Sequence, residues 1–190
     1  LSFIRPAVFE KTLFPIGEYP KTEVRKMAKA MDLPNAERKD SQGICFVGKV
    51  QVTDFLKQYI PVKPGVIQDM AGNVLGNHEG THYYTIGQRK GIGLGGGPWY
   101  VAGKDREQNI LLVSKNEEDI KRRELSLEET NFFSADVSGK VEVAIRYHQQ
   151  PVSARLENEN GKWRLILDES QRAVTPGQFA VLYRGEELLG

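Results

Sequence analysis

Cys45 is the residue of this 190-residue chain best suited to be a nucleophile, and it is the only cysteine. A lone cysteine between Ile44 and Phe46 is ordinarily a small buried hydrophobe. Here the turn-forming stretch Asp40-Ser41-Gln42-Gly43 precedes it, so the apolar run begins at a loop edge. Gly43 lets a backbone or ligand come close. A thiol of pKa ~8.5 is little ionised at neutral pH and needs positive charge nearby to work. Arg38, Lys39 and Lys49 are close enough in sequence to supply it. On residue types alone, the buried hydrophobe and the working thiol both stay open. A single cysteine excludes an internal disulfide and a multi-thiolate zinc site. A reducing compartment, most simply the cytoplasm, is therefore expected.

Gln88-Arg89-Lys90 sets an amide and two cations beside a glycine-rich run, a grouping that can grip phosphate oxygens. The run Gly91-Ile92-Gly93-Leu94-Gly95-Gly96 formally matches a dinucleotide fingerprint. That fingerprint needs a helix after it. Gly97, Pro98 and a strand-like Trp-Tyr-Val follow instead, so a pliable loop is expected and no cofactor site. His78, His82 and His148 lack metal-ligand spacing. His82 sits in His82-Tyr83-Tyr84-Thr85-Ile86, which reads as a strand.

Short elements must position these residues. Val24, Met27, Ala28 and Met31 share one helical face, predicting a helix over 22–32 capped by Thr22 and stopped before Pro34. A second is predicted over 52–59 from Val52, Phe55, Leu56 and Tyr59. From Gly65 onward strand-like runs dominate, with a hairpin turn at Ala71-Gly72-Asn73. Residues 116–124 read as a charged, solvated connector. Beyond them Val141, Val143 and Ile145 alternate with Glu142, Ala144 and Arg146, a half-buried strand. The core of this last part is predicted to hold those three with Leu165, Leu167, Val181 and Tyr183. The expected fold is mainly β with a short helical N-terminal segment (α+β). A small central β domain is followed by a C-terminal β-barrel. No internal repeat is apparent.

Net charge is +1, from 26 basic and 25 acidic side chains, which excludes RNA binding by bulk attraction. Any nucleic-acid contact must be local. No apolar run approaches the ~18 residues of a membrane span. The chain starts without Met and stops in an apparently unfinished strand, so a piece of a longer protein is expected.

Lys39-Asp40-Ser41-Gln42-Gly43-Ile44-Cys45-Phe46-Val47-Gly48 resembles the K-D-S-x-G-I-C-F-[IV]-G segment of the tRNA-specific 2-thiouridylases, the MnmA/TrmU family. Leu13-Phe14-Pro15-Ile16-Gly17-Glu18 resembles its L-F-P-[IV]-G-E. Gly76-Asn77-His78-Glu79-Gly80 resembles its G-x-H-x-G, and Thr85 to Gly93 its T-[IL]-G-Q-R-K-G-[IL]-G. Pro98-Trp99-Tyr100-Val101, Arg146-Tyr147 and Val174-Thr175-Pro176-Gly177-Gln178 are similar to further family motifs.

The resemblance implies an enzyme in three parts. An N-terminal domain uses ATP, with Mg expected, to adenylate the C2 oxygen of wobble uridine 34 in tRNA. A persulfide received from a sulfur-relay donor protein then delivers sulfur and displaces AMP. Family roles carried over residue by residue make Cys45 the persulfide cysteine and Arg146, Tyr147 and Gln178 tRNA contacts. Gln88, Arg89 and Lys90 are further candidate contacts from their residue types. The implied division is 1–50 (tail of the catalytic domain), 51–118 (central β domain) and 119–190 (tRNA-binding barrel). The family's S-G-G-x-D-S loop and its other catalytic cysteine are absent from the chain, so ATP binding and thiolation by these 190 residues alone are not expected. No metal site and no membrane are expected. The rival reading is a non-catalytic RNA-binding β module with a structural Cys45; another is a protein-interaction barrel.

Overall fold

In the computed structural model, residues 4–39, 52–146 and 149–190 are described. Helix α1 (Pro6–Phe9) begins with proline in its first turn, where the missing N–H has no intrahelical partner to lose. Helix α2 (Lys21–Ala30) lies where periodicity predicts it. Its cap differs: Pro20 is the capping residue, with extended backbone, and Thr22 falls inside the helix. The proline ring, preset at φ −56°, directs the chain into the helix without a side-chain cap. Helix α3 spans Val52–Lys57.

A four-stranded sheet follows, from β1 (Gly65–Asp69), β2 (Val74–His78), β3 (Tyr100–Asp105) and β4 (Ile110–Ser114), in the order β2-β1-β4-β3. The expected hairpin turn joins β1 and β2. One Asp69 carboxylate oxygen accepts the N–H groups of Ala71 and Asn73, each at 2.9 Å. Ile67, Val101, Leu111 and Val113 form its core with Ile92 from the glycine-rich loop. That loop runs into β3, and no helix follows Gly96.

The strand expected at 82–86 is absent. Thr81–Tyr83 forms a single 3₁₀ turn instead. Gly80 redirects the chain at φ 148°, the His82 ring packs on Tyr83 at 4.0 Å, and the Tyr83 hydroxyl donates to the Ile60 carbonyl at 2.6 Å. Aromatic and β-branched residue types mimic a strand here, but their side chains serve local packing.

Residues 116–124 are not a solvated connector either. Glu117–Ile120 forms a 3₁₀ turn, and β5 (Lys121–Leu127) begins at once. Ile120 is fully buried beside Tyr100 and Ala102, so the charged run hides an apolar anchor. Strand β5 joins β6 (Gly139–Ala144), β7 (Val152–Glu159), β8 (Lys162–Arg172), β9 (Val181–Arg184) and β10 (Glu187–Leu188). Their order is β10-β9-β6-β7-β8-β5, and every pairing is antiparallel.

The chain is mainly β, as expected. The six-stranded sheet does not close: β5 and β10 remain its two edges. A cavity of about 590 Å3 lies there, lined in part by Leu125, Leu127, Phe132, Ile145, Gln178 and Leu182. Val141, Val143, Ile145, Leu165 and Leu167 are buried as expected. From β9, however, Leu182 is buried and Val181 and Tyr183 are only half-buried. Leu182 stands opposite the fully buried Val143 in the ladder. In Val181-Leu182-Tyr183 all three residues are apolar, so alternation carries no signal and only the register decides the inner face.

One buried polar residue of the central unit sets a pH dependence. His78 is 3% exposed; its Nδ1 accepts the Gly80 N–H at 2.9 Å, and its Nε2 contacts the Asn109 carbonyl at 3.0 Å. Nδ1 must be an acceptor and Nε2 the donor, so the ring is neutral. Burial holds its pKa below the usual histidine value; the Asn109 carbonyl opposes this, and His82 adds to it. The unfolded chain takes up a proton near pH ~6.5 and the folded chain does not. Stability should therefore fall as pH drops below that value. Thermal melting at pH 7.5 and 5.5 checks this: the midpoint should fall, and His78→Asn should flatten the difference.

Candidate nucleic-acid interface

Two turns that share a T-x-G-Q pattern and a shape flank the joint between the sheets. Thr85-Ile86-Gly87-Gln88 leads toward the glycine-rich loop, and Thr175-Pro176-Gly177-Gln178 connects β8 to β9. In the first, the Gln88 N–H donates to the Thr85 carbonyl at 3.0 Å, and the Thr85 N–H donates to Gln88 Oε1 at 3.0 Å. In the second, the same bonds link Gln178 and Thr175 at 3.2 and 3.0 Å. Each turn needs positive φ at its glycine: Gly87 at 81° and Gly177 at 87°.

A backbone N–H can only donate, so the atom it meets in each glutamine is the oxygen. Both side chains thus present their amide nitrogens away from their own turn. Gln88 Nε2 donates to the Lys90 carbonyl at 2.8 Å, which commits this glutamine to its own loop. Gln178 is exposed, and its amide nitrogen makes no hydrogen bond among the described residues.

Arg146 lies just beyond β6. Its Nη2 donates to the carbonyls of Arg172 and Ala173, each at 2.9 Å. The Thr175 hydroxyl donates to the same Ala173 carbonyl at 3.2 Å. Arg146 and Gln178 are thus tied to one short segment. Arg146 is not a free surface cation: part of its donor set fixes the backbone that carries the second turn.

That segment is also the joint. Ala173 is buried with φ 54°, and its N–H donates to the Ile120 carbonyl at 2.7 Å. Gly87 presses against it so closely that a Cβ on Gly87 would stand 2.2 Å from the Ala173 Cβ. Beside this contact, Tyr100, Glu117 and Arg172 meet: Arg172 sits 5.4 Å from the Tyr100 ring centroid and 3.6 Å from Glu117. The Tyr100 hydroxyl, then Arg172, Lys121 and Arg89, hold the exposed Glu117 carboxyl below the usual carboxylate range. Sequence reading missed Gly87, Tyr100, Glu117, Arg172 and Ala173. The signal available was the T-x-G-Q pattern occurring twice.

Arg89 and Lys90 are exposed beside the first turn. Cys45, Tyr147 and His148 lie outside the described residues. Among the described residues, no three His, Cys, Asp or Glu side chains come together as metal ligands, and no helix is long and apolar enough to cross a membrane.

Comparison with known proteins matches nearly the whole chain, in order. Residues 1–49 match the family model described as tRNA methyl transferase HUP domain. Residues 53–115 match the tRNA methyl transferase PRC-barrel domain, and residues 122–190 the aminomethyltransferase beta-barrel domain. Curated relatives named tRNA-specific 2-thiouridylase MnmA are similar over 95% of this chain. The protein of Chromohalobacter salexigens is 44% identical, that of Pseudomonas paraeruginosa 43%, and that of Pseudoalteromonas translucida 42%. The chain spans about half the length of these relatives, 50–52%. Three consecutive matches to the parts of one protein type, joined to this identity, place the chain in the tRNA-specific 2-thiouridylase (MnmA/TrmU) family.

Proposed function

We propose that the chain is the central and C-terminal part of a tRNA 2-thiouridylase. Residues 1–50 end the catalytic domain and carry the sulfur on Cys45; 51–118 and 119–190 hold the tRNA. ATP and its Mg bind outside these 190 residues, on the domain that adenylates uridine 34. The outer sulfur of a Cys45 persulfide, loaded by a donor protein, attacks C2 of the adenylated uridine. The C2–S bond forms as the C2–O bond to AMP breaks. Release of the thiocarbonyl then requires a second thiolate, a role open to the family's other cysteine. It attacks Cys45 Sγ and forms a disulfide with it, while the S–S bond to the nucleotide breaks and leaves its electron pair on the nucleotide sulfur.

The observation that carries this reading is the 42–44% identity over 95% of the chain to relatives named for that activity. The geometry supports it. A donor amide on Gln178 and a guanidinium on Arg146 are braced on one turn, at a strand end where loops meet partners. RNA offers acceptors there, in phosphate oxygens and 2′-hydroxyls.

Gln178→Glu tests the RNA contact. The carboxylate can still accept the Thr175 N–H, so the turn and the melting temperature should hold. It sets an anion where an amide donor stood, and tRNA affinity should drop at least tenfold. Arg146→Ala should weaken binding by about 1–3 kcal/mol, as for a lost charge-assisted contact, and lower the salt slope by about one phosphate contact or less. Filter binding of a tRNA transcript at two salt concentrations reads both. Unchanged affinity in both variants would favour the protein-interaction barrel.

A further inference from the structure

The meeting of Tyr100, Glu117 and Arg172 at the joint has a chemistry that the motifs above do not assign. Three exposed guanidiniums belong to the elements that meet here. Arg172 at the end of β8 is part of the meeting, and Arg146 from beyond β6 is bonded to its carbonyl. Arg89 follows by two residues the Gly87 that packs on Ala173, and it acts on the Glu117 carboxyl. Arg146 holds the carbonyl of Arg172 itself. Arg172 is pre-oriented over the Tyr100 ring, the arrangement in which a cation is attracted to an aromatic face. The carboxylate opposing these cations is Glu117. Its neighbour Glu118 is occupied by Lys121 at 2.5 Å.

The Glu117–Arg172 pair is a poor match as a structural bond. At 3.6 Å it is longer than the ~2.7–2.9 Å of a charge-assisted hydrogen bond. Both side chains are about half exposed, 48% and 46%, and such pairs contribute little to stability. A guanidinium fork matches a phosphate bidentately, and three forks in sequence match a strand backbone better than one isolated anion. The exposed Arg89 makes no side-chain hydrogen bond among the described residues, so it is available to such a strand.

We propose that Arg89, Arg172 and Arg146 form a guanidinium row across the joint that takes consecutive phosphates of the RNA backbone, with Glu117 holding Arg172 until a phosphate displaces it. This rests on the RNA-binding reading and extends it from the C-terminal sheet onto the central unit. It makes Glu117 an internal competitor of the RNA.

The test uses this chain and an unmodified tRNA transcript, titrated over a salt series beside thermal melts. Glu117→Gln keeps an oxygen for the Tyr100 hydroxyl and removes the competing charge, so affinity should rise several-fold. Arg172→Ala and Arg89→Ala should each lower affinity several-fold and reduce the salt slope by roughly 0.7–0.9, the value of one phosphate contact. Arg89 is exposed and outside the packed joint, so its variant should keep the wild-type melt. Wild-type binding with salt slopes unchanged in both arginine variants would overturn the row and leave the RNA reading standing. So would a Glu117→Gln protein that melts lower and binds no better, the signature of a mere interdomain staple. A wild-type chain with no salt-dependent binding would overturn the row and the RNA reading together.

Discussion

Replacing Gly87 by Ala is expected to destabilise the protein by about 2–5 kcal/mol and to weaken tRNA binding with it. Two costs combine. The residue sits at φ 81°, where an L side chain costs about 1–2 kcal/mol. The new methyl would also stand 2.2 Å from the Ala173 Cβ, and overpacking of this kind costs about 1–3 kcal/mol. Neither side can easily yield. The Gly87 N–H is held by the Val101 carbonyl at 2.8 Å, and Ala173 is held by Ile120 and Arg146. The twin turn supplies the control. Gly177 has nearly the same φ, 87°, but open space where its Cβ would go. Gly177→Ala should therefore show the backbone cost alone. Urea unfolding of both variants separates the terms, and equal midpoints would contradict the packed joint.

The two glycines also show how far the sequence could be read. T-x-G-Q announces a turn in each case, because glycine at its third position meets the positive φ such a turn needs. Nothing local tells that one glycine faces a neighbouring sheet and the other faces solvent; that depends on where the chain returns after more than 80 residues. The same limit hid Ile120, one apolar residue inside a charged run, whose burial depends on Tyr100 and Ala102. It hid the inner face of β9, where three apolar residues in a row erase the alternation. The β6 strand was legible because the charged Lys140 and Glu142 alternate with the apolar Val141 and Val143. For the site, the motifs led to Arg146 and Gln178. That Arg146 braces backbone carbonyls, and that Arg172 stands beside it, required the fold.

Cys45→Ala carries the largest expected effect on activity. Made in the full-length enzyme, it should reduce 2-thiouridine formation to background while adenylation of the uridine continues. In the proposed mechanism the two halves of the reaction separate, because adenylation would need the ATP-binding domain and the tRNA seat, whereas sulfur delivery would need the thiol. A persulfide is more acidic than a thiol, so it is ionised at neutral pH where an unassisted cysteine of pKa ~8.5 is not. Alanine removes the sulfur without adding bulk or charge. Cys45→Ser keeps nearly the same size and polarity and should be equally inactive, since an alkoxide cannot carry sulfur. A buried structural cysteine would give the opposite pattern, with loss of stability in the serine variant and tRNA thiolation retained.

The measurement that bears most directly on this account is the 2-thiouridine content of tRNA in cells that lack their own wobble-uridine thiolase. The full-length protein, as wild type and as Cys45→Ala, is expressed to equal levels, and the nucleosides of digested tRNA are quantified by mass spectrometry. Wild type is expected to restore 2-thiouridine and Cys45→Ala to restore none, while the variant protein still binds tRNA with wild-type affinity. Thiolation by Cys45→Ala near the wild-type level, or none by the wild type, would contradict it.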